Sequence, residues 1–256
     1  MNQQPSSTPK VAVVEVTKRY GQENTSDTVA LVDVSFEVAR NEFVSIVGKS
    51  GCGKSTMLGI IAGLLSSTKG NVQIDGKVVT GPGLDRGMVF QQASLFPWLT
   101  AIQNIEFGPR SNGLPKDKCR ILAEELIELV KLEGFEHKYP RQLSGGMQQR
   151  VAIARALAID PEILLMDEPF GALDQLTRED MQRELLRIWQ QRKKTVIFVT
   201  HSITEAIFLS DRVLVLSRHP GRLIAEFNVV ADRPRQKSSR DFLKLYEAIY
   251  GTIDEG

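Results

Sequence analysis

The sequence predicts an α/β protein whose mainly parallel strands carry a phosphate-binding loop. First, the apolar strand "EFVSIVG" at 42–48 runs directly into a glycine-rich loop and then into an apolar helix. Second, strand and helix patterns alternate again beyond residue 160, which is typical of a mainly parallel sheet. Third, the segment from 102 to about 160 has a helical pattern, so an inserted helical subdomain interrupts the core.

The N-terminal part of the chain predicts an antiparallel β-subdomain ahead of this core. Residues 1–10 are polar and lack the apolar centre of a secretory signal, and we expect them to form a disordered leader. In "VDVSFEV" at 32–38 every second residue is apolar. This period of two indicates an antiparallel sheet with one face in water.

The loop "GKSGCGKST" predicts a site for nucleotide phosphates. Its pattern is G-x-x-x-x-G-K-[ST], with the required strand before it and helix after it. The glycines let backbone N–H groups approach phosphate oxygens, Lys54 reaches the terminal phosphates, and Ser55 offers a hydroxyl to Mg²⁺. Cys52 lies at a helix N-terminus, where a thiol can become reactive, or it is a small loop filler. The predicted phosphate-binding residues are Gly48, Lys49, Ser50, Gly51, Cys52, Gly53, Lys54, Ser55 and Thr56.

Two later strands end in side chains suited to hydrolysis. "ILLMDEP" places Asp167 and Glu168 at the carboxyl end of a strand, where ligands of α/β sheets bind. Because adjacent strand residues point to opposite sides, we assign Asp167 to the Mg²⁺ shell and Glu168 to the attacking water. His201 closes the next strand, where it can bond to the γ-phosphate and hold Glu168 in place. Each alone is more commonly a solvated strand-end group, but together they predict a hydrolytic site.

The stretch "LSGGMQQR" at 143–150 predicts a second place for a phosphate. Ser144, Gly145 and Gly146 stand at the start of a helix, where unpaired N–H groups and the helix dipole favour an anion. These residues alone do not say whose phosphate it is.

Taken in order, these motifs resemble the nucleotide-binding subunit of an ATP-binding cassette (ABC) transporter. The order is the phosphate loop, Gln91, "LSGGM", "ILLMDEP", "GALD" and His201. The resemblance implies a P-loop NTPase core, with an ABC ATPase domain at 11–222 and a C-terminal extension with a short helix at 223–256.

The resemblance also implies roles for single residues. Tyr20 stacks on adenine, although an aromatic residue at a strand end is often only packing. Gln91 senses Mg²⁺ and the membrane partner; we choose it over Gln92 because it matches "VFQ". Asp174 communicates across a dimer. The implied catalytic residues are Glu168, His201, Lys54 and Gln91, and the implied Mg²⁺ ligands are Ser55, Gln91 and Asp167.

A head-to-tail dimer of two copies is implied as well. Within one chain the helical insertion carries Ser144 away from its own phosphate loop, so Ser144, Gly145 and Gly146 bind the γ-phosphate of the partner's ATP. A two-fold dimer makes both contacts at once. Met147 stands where many members have Gln, which leaves these contacts intact. ATP and Mg²⁺ are the implied cofactors.

The loop "LFPWLT" predicts a docking surface for a membrane protein. Leu95, Phe96, Trp98 and Leu99 put four large apolar groups in a connecting segment. The alternative is a small satellite core under the insertion. In the family this region receives integral membrane permease subunits.

Composition excludes several other classes. The net charge of +1 gives no footprint for nucleic acid. Two cysteines form no disulfide framework or metal cluster, which fits a reducing cytoplasm. The longest apolar runs are strand-sized, too short for a membrane helix.

The predicted function is ATP hydrolysis that powers an importer of a small anionic solute. Four segments resemble the nitrate, sulfonate and taurine importer group: "LFPWLT", "LSGGMQQRVAIARAL", "DQLTRED" and "LSRHPGRL". This resemblance implies a separate solute-binding protein. It also implies that the chain lies at the cytoplasmic face of the inner membrane, attached through the permease. The alternatives are a soluble ATPase of the same family that acts on DNA or ribosomes, and a weakly hydrolysing regulatory module. The first lacks support because the sequence has no long heptads or zinc cysteines.

Overall fold

A computed structural model describes residues 8–21 and 28–255, which form two compact units. The first unit contains the described residues up to Gly83 and those from Thr195 onward. The second unit is Leu84–Lys194. Each unit has its own strands and helices.

The expected leader at 1–10 falls mostly outside the described residues, since the description starts at Thr8. Lys10, its last residue, is buried and forms an ion pair with Asp75. This pair holds Lys10 beside the turn that follows β4, at Lys69–Ile74.

The first unit contains an antiparallel sheet of order β2-β1-β4-β5. Val34 and Phe36 are buried whereas Ser35 is exposed, so one face is in water as the alternation predicts. The alternation changes phase at a β-bulge, where Asp33 has a φ of +51° and Leu31 takes the buried position. The strands are β1 at Val11–Tyr20, β2 at Thr28–Val38, β4 at Lys69–Ile74 and β5 at Lys77–Val78.

A second set of strands in this unit, ordered β10-β9-β3-β8, carries the phosphate loop. β3 pairs in parallel with β8 and β9, and β10 pairs antiparallel with β9. Every residue of β3 and β8 is buried, as in strands that helices cover on both faces. The elements are β3 at Phe43–Val47, α1 at Lys54–Ile61, β8 at Thr195–Thr200, α6 at Ile203–Leu209, β9 at Arg212–Leu216 and β10 at Leu223–Asn228.

The C-terminal segment completes the first unit with helix α7, at Arg240–Glu255. This helix is longer than the short segment that the sequence indicates. It buries Phe242 and Ile249 and contacts α6, β9 and β10. The proposed boundary between an ATPase domain at 11–222 and an extension stays a prediction.

The sequence "RPR" closes the C-terminal end of α6. Arg233 donates to the carbonyl of Leu209, and Arg235 donates to the carbonyls of Ile207 and Phe208. The last carbonyls of a helix have no partner within it and carry negative partial charge. Two guanidinium groups therefore cap α6.

The second unit combines a pair of parallel strands with four α-helices and a short 3-10 helix at Pro140–Gln142. Helices α2, α3 and α4 occupy the segment in which the sequence predicts helical insertion, and α2 packs on both others. Ala123, Leu126 and Ile127 form the buried face of α3. The elements are β6 at Arg86–Val89, α2 at Ala101–Ser111, α3 at Lys116–Leu129, α4 at Gly145–Ala158, β7 at Ile163–Asp167 and α5 at Gln175–Gln191.

The predicted fold class is confirmed. The chain has parallel strands with helices, an N-terminal antiparallel sheet and a helical insertion. Within the described ranges, none of the helices combines the length and apolarity needed to cross a membrane.

Candidate functional site

The phosphate loop starts where β3 ends and is shaped by its glycines. A Cβ at Gly48 would lie 2.6 Å from Sγ of Cys52 and 2.9 Å from the carbonyl of Leu216, so no larger residue fits. Gly51 and Gly53 have φ values of +80° and +95°, which L side chains rarely adopt. Cys52 is 1% exposed, which favours the loop-filler interpretation because a reactive thiol needs access.

Lys54 is the first residue of α1, and its side chain reaches back into this loop. Its side chain is 5% exposed, and Nζ donates to the carbonyls of Gly48 at 2.9 Å and Lys49 at 3.2 Å. These bonds fix the ammonium group at the N-terminus of α1. The N-cap residue, Gly53, has no side chain that could cap the first N–H groups of this helix. The arrangement concentrates positive charge and backbone N–H groups at one point.

His201 and Tyr20 also belong to the first unit. Val47 pairs with Thr200 in the parallel β3–β8 ladder, so the phosphate loop and His201 begin at the same edge. The Tyr20 hydroxyl lies 3.3 Å from Oγ1 of Thr56, and its ring is 41% exposed. An exposed ring beside the phosphate loop fits a stacking platform better than core packing.

In the second unit, Gln91, Asp167 and Glu168 all lie at the carboxyl ends of β6 and β7. Val89 pairs with Met166, so Gln91 and Asp167 follow the same end of the ladder. Glu168 has a φ of +42°, and its carbonyl accepts from the Gly171 N–H at 3.0 Å. A left-handed glutamate costs about 1–3 kcal/mol and occurs where surrounding structure enforces it.

The side chain of Gln91 lies against Gly171. A Cβ built at Gly171 would be 3.2 Å from Nε2 of Gln91 and 3.3 Å from the carbonyl of Glu168. A cavity of about 360 Å³ in this unit is lined in part by Gln91, Gly145 and Gln149. Gln91 therefore faces both the turn after β7 and the start of α4.

Ser144 and Asp174 begin neighbouring helices. Ser144 is exposed at the N-cap of α4, and its Oγ accepts from the Met147 N–H at 3.3 Å. Asp174 caps α5 by accepting from the Thr177 N–H at 3.0 Å, and this hydrogen bond lowers the pKa of Asp174. A Cβ at Gly146 would lie 2.7 Å from Cγ2 of Thr177, so only glycine allows this approach of the two helix starts.

The loop at 95–99 is partly packed and partly open. Phe96 is half-buried, with its ring 4.5 Å from that of Phe107 and the guanidinium of Arg155 at 5.5 Å above it. Trp98 is 69% exposed and lines a cavity of about 680 Å³ together with Phe107 and Leu99. Phe96 thus belongs to a small cluster, whereas Trp98 is open to a partner.

Sequence reasoning missed Asn104, which organises this loop. Asn104 lies on α2 and is fully buried. Its Oδ1 accepts from the Phe96 N–H at 2.8 Å. Its Nδ2 donates to the carbonyls of Phe96, Leu99 and Thr100. An asparagine between the apolar residues Ile102 and Ile105 was the available signal, because a buried amide needs partners.

Sequence reasoning also missed a link between α7 and the phosphate loop. Nζ of Lys49 lies 3.4 Å from Oδ1 of Asp254 near the end of α7. Both side chains are at the surface, where such a pair contributes little stability. No sequence pattern connects these positions.

Comparisons with known proteins agree with this geometry. A family model described as ABC transporter matches residues 31–171. The chain is similar to an uncharacterized ABC transporter ATP-binding protein of Methanocaldococcus jannaschii, with 52% identity over 246 residues that cover 96% of this chain and 92% of the relative. It is also similar to the aliphatic sulfonates import ATP-binding protein of Bacillus anthracis, with 44% identity over 247 residues that cover 96% of each of the two chains.

A solved structure is similar as well. It is a dimeric ATP-binding cassette in a post-hydrolysis state bound to ADP and Pi, with a TM-score of 0.75 and 37% identity. The match covers 87% of this chain and 100% of that one.

We predict that Asn104→Ala loosens the loop at 95–99. The change removes the partner of the Phe96 N–H and the side-chain donor to the Leu99 carbonyl, whereas the carbonyls of Phe96 and Thr100 keep their backbone donors. We therefore expect the free energy of unfolding to fall by about 2–4 kcal/mol. Denaturant unfolding measures this loss, and amide exchange at Phe96 should accelerate more than exchange within α3.

Asn112→Ala is the matched control, because Asn112 is exposed at the C-terminal end of the same helix. Equal losses of stability in the two variants would contradict the organising role of Asn104.

Proposed function

Because the chain belongs to the ABC transporter family, as its motifs indicate, we propose that it is the ATP-hydrolysing subunit of a membrane importer. The observation that carries the proposal is the placement of the phosphate loop, Gln91, Asp167 and His201 at the carboxyl ends of parallel strands. This is where α/β proteins bind nucleotides.

In the first step, the phosphate loop binds ATP. Lys54 and the N–H groups of the loop hold the β- and γ-phosphates, Thr56 and its neighbours complete the cradle, and Tyr20 supports the adenine ring. The position of the Tyr20 hydroxyl beside Thr56 supports this assignment.

Mg²⁺ fits the donor set that we assign to it. Ser55, Gln91 and Asp167 offer a hydroxyl, an amide and a carboxylate oxygen, which are the hard ligands that Mg²⁺ prefers. When bound, Mg²⁺ neutralises negative charge that develops on the phosphates. These residues would orient the ion, and Gln91 would report its presence to the turn at Gly171 that it touches.

Glu168 then activates water, and His201 holds the γ-phosphate and the glutamate in place. The left-handed backbone of Glu168 supports this role, because a strained conformation fixes the direction of its side chain.

We predict that Glu168→Gln binds ATP but hydrolyses it at least 100-fold more slowly, because the phosphate cradle stays intact while the water loses its base. A steady-state phosphate-release assay measures turnover, and gel filtration with ATP and Mg²⁺ should show a closed dimer that persists.

Glu162→Gln serves as control, since Glu162 is exposed just before β7, at the opposite end of the strand. Hydrolysis by Glu168→Gln at the rate of this control would remove Glu168 from the mechanism.

The third step is closure of a dimer of two copies. Ser144 is exposed at the N-cap of α4, where N–H groups suit an anion. We assign Ser144, Gly145 and Gly146 to the γ-phosphate of the partner's ATP, and Asp174, at the adjacent helix start, to communication between the subunits. The dimeric cassette bound to ADP and Pi supports self-association.

We predict that Lys54→Ala and Ser144→Arg complement each other in mixed dimers. Alone, the first variant lacks the lysine charge and the second fills the γ-phosphate space with a guanidinium group, so each should trap no ATP. A mixed dimer has two interfaces. One of them joins the intact phosphate loop of the Ser144→Arg chain to the intact Ser144 of the Lys54→Ala chain. Labelled ATP should then be occluded, at up to about half the wild-type amount per heterodimer.

The assay places Glu168→Gln in every chain so that hydrolysis does not empty the site. Retention near zero at all mixing ratios, with heterodimers demonstrated by differently tagged chains, would assign Ser144 to its own chain.

The proposed membrane partner is an integral permease that docks near Leu95, Phe96 and Trp98. Trp98 is the anchor that the geometry favours, because its indole is exposed beside a large groove. A permease places the chain at the cytoplasmic face of the membrane as a peripheral subunit. The imported solute is a small anion, such as a sulfonate, taurine or nitrate, delivered by a solute-binding protein; the sulfonate-importing relative supports this class.

We predict that Trp98→Ala leaves folding and ATP binding unchanged but weakens assembly with the permease at least tenfold, because exposed aromatic anchors dominate interfaces. Co-purification of the tagged chain from membranes measures assembly. Ile121→Ala is the control, because Ile121 is similarly exposed on α3 but lies outside the groove. Unfolding of Trp98→Ala would instead favour a satellite core around this loop. Co-purification of the chain with ribosomes or DNA would favour a soluble ATPase of the same family.

A further inference from the structure

The first unit contains a cleft for which the ATPase reaction has no use. It lies between the segment 228–239 and helix α7 and has a volume of about 620 Å³. This volume is in the range of small-molecule sites. The walls are mainly apolar and include Ile207, Val229, Phe242, Leu245 and Ala248.

A buried guanidinium group lines this cleft. Arg235 is 6% exposed, and it donates to the carbonyls of Ala231, Ile207, Phe208 and Val229 at 2.9–3.1 Å. Arginine has five N–H groups, so these bonds leave one N–H of Nη2 without a protein acceptor among the described residues. No carboxylate of the described chain comes within ion-pair distance of Arg235.

Other semi-buried arginines of this unit have carboxylate partners. Arg233 contacts Asp211 at 2.6 Å, and Arg212 contacts Glu42 at 2.9 Å and Glu226 at 2.8 Å. Buried charges are normally paired in this way, because carbonyl dipoles offset a full charge only in part.

The electrostatic surroundings of Arg235 favour an anion in the cleft. Burial lowers the pKa of Arg235 to about 10, and the neighbouring positive charge of Arg233 lowers it further. Asp211 and Asp232 raise this pKa, but their effect is smaller. The other charged groups on the cleft wall are Asp232, Asp241 and Lys244, all of them exposed. Water screens these three groups more than it screens Arg235.

We propose that this cleft binds a small organic anion with an apolar body. A carboxylate or similar planar head group accepts from Nη2 of Arg235, with Lys244 at the rim, because the guanidinium fork suits such oxygens. The apolar body packs against Phe242 and Leu245. Ser239, whose Oγ accepts from the Phe242 N–H at 3.3 Å, adds a hydroxyl at the same wall.

Calorimetry on the full chain with three probes tests the proposal. Hexanoate carries both features, hexanamide keeps the body without the charge, and acetate keeps the charge without the body. We expect hexanoate to bind at least tenfold more tightly than either, since each feature contributes about one order of magnitude or more. Equal binding of hexanamide and hexanoate, or no hexanoate binding up to about 10 mM, would overturn the proposal.

Two variants locate the binding. Ala248→Trp fills the cleft from an exposed position on α7 and should weaken hexanoate binding at least tenfold. Leu243→Trp adds the same side chain at an exposed position of α7 outside the cleft and should leave binding unchanged. Hexanoate affinity that is the same in both variants would place the anion elsewhere and refute the site.

Arg235→Lys gives an independent measure, because it keeps the charge but loses the fork. We expect weaker hexanoate binding by about tenfold, with thermal unfolding of the variant recorded alongside. If this variant does not fold, the comparison of Ala248→Trp with Leu243→Trp still decides the question, because neither change touches the cap on α6.

Discussion

The parallel pairing of β3 with β8 determines where the chemistry of the first unit lies. Both strands are buried along their whole length, and Val47 is opposite Thr200. The phosphate loop and His201 therefore leave the sheet at one edge. A slip of one residue would turn every side chain to the other face and would be resisted by the whole buried surface. The β6–β7 ladder imposes the same constraint on Gln91 and Asp167 in the second unit. The positions of the candidate residues follow from strand register more than from local contacts.

This dependence explains why the places of the candidate residues in the fold were largely predictable. A continuous apolar run predicts a buried strand, and the pattern G-x-x-x-x-G-K-[ST] after it predicts a phosphate loop that opens a helix. The same reasoning placed Ser144 at a helix start, and the structure has it at the N-cap of α4. The ABC resemblance then implied roles that geometry alone does not give, and these roles stay predictions. These roles rest on residue types at fixed positions, which a sequence records directly.

Features that depend on long-range contacts were not predictable. The bulge at Asp33 shifts the buried phase of β2 because of its pairing with β1, and nothing in the local alternation announces it. Asn104 and Arg235 are polar residues whose partners are carbonyls of other segments. Every residue has such a carbonyl, so sequence carries no mark of which one is used. Only the rule that a buried polar group needs a partner could have drawn attention to them.

Lys54 and Arg235 illustrate one physical principle at two places in the first unit. Each is a cation that is more than nine-tenths buried and donates to backbone carbonyls. Lys54 donates to the carbonyls of Gly48 and Lys49, and Arg235 donates to carbonyls at the end of α6. Carbonyls orient a cation and reduce the cost of its burial, but their dipoles offset a full charge only in part. An anion that reaches such a group interacts with it more strongly than with a surface lysine, because less water screens the pair. In the proposed ATP site, the glycines of the loop leave room for phosphate oxygens beside Lys54. At Arg235 the apolar walls of the cleft restrict the ligand to an anion with an apolar body, so the surroundings, and not the cation, determine what each site selects.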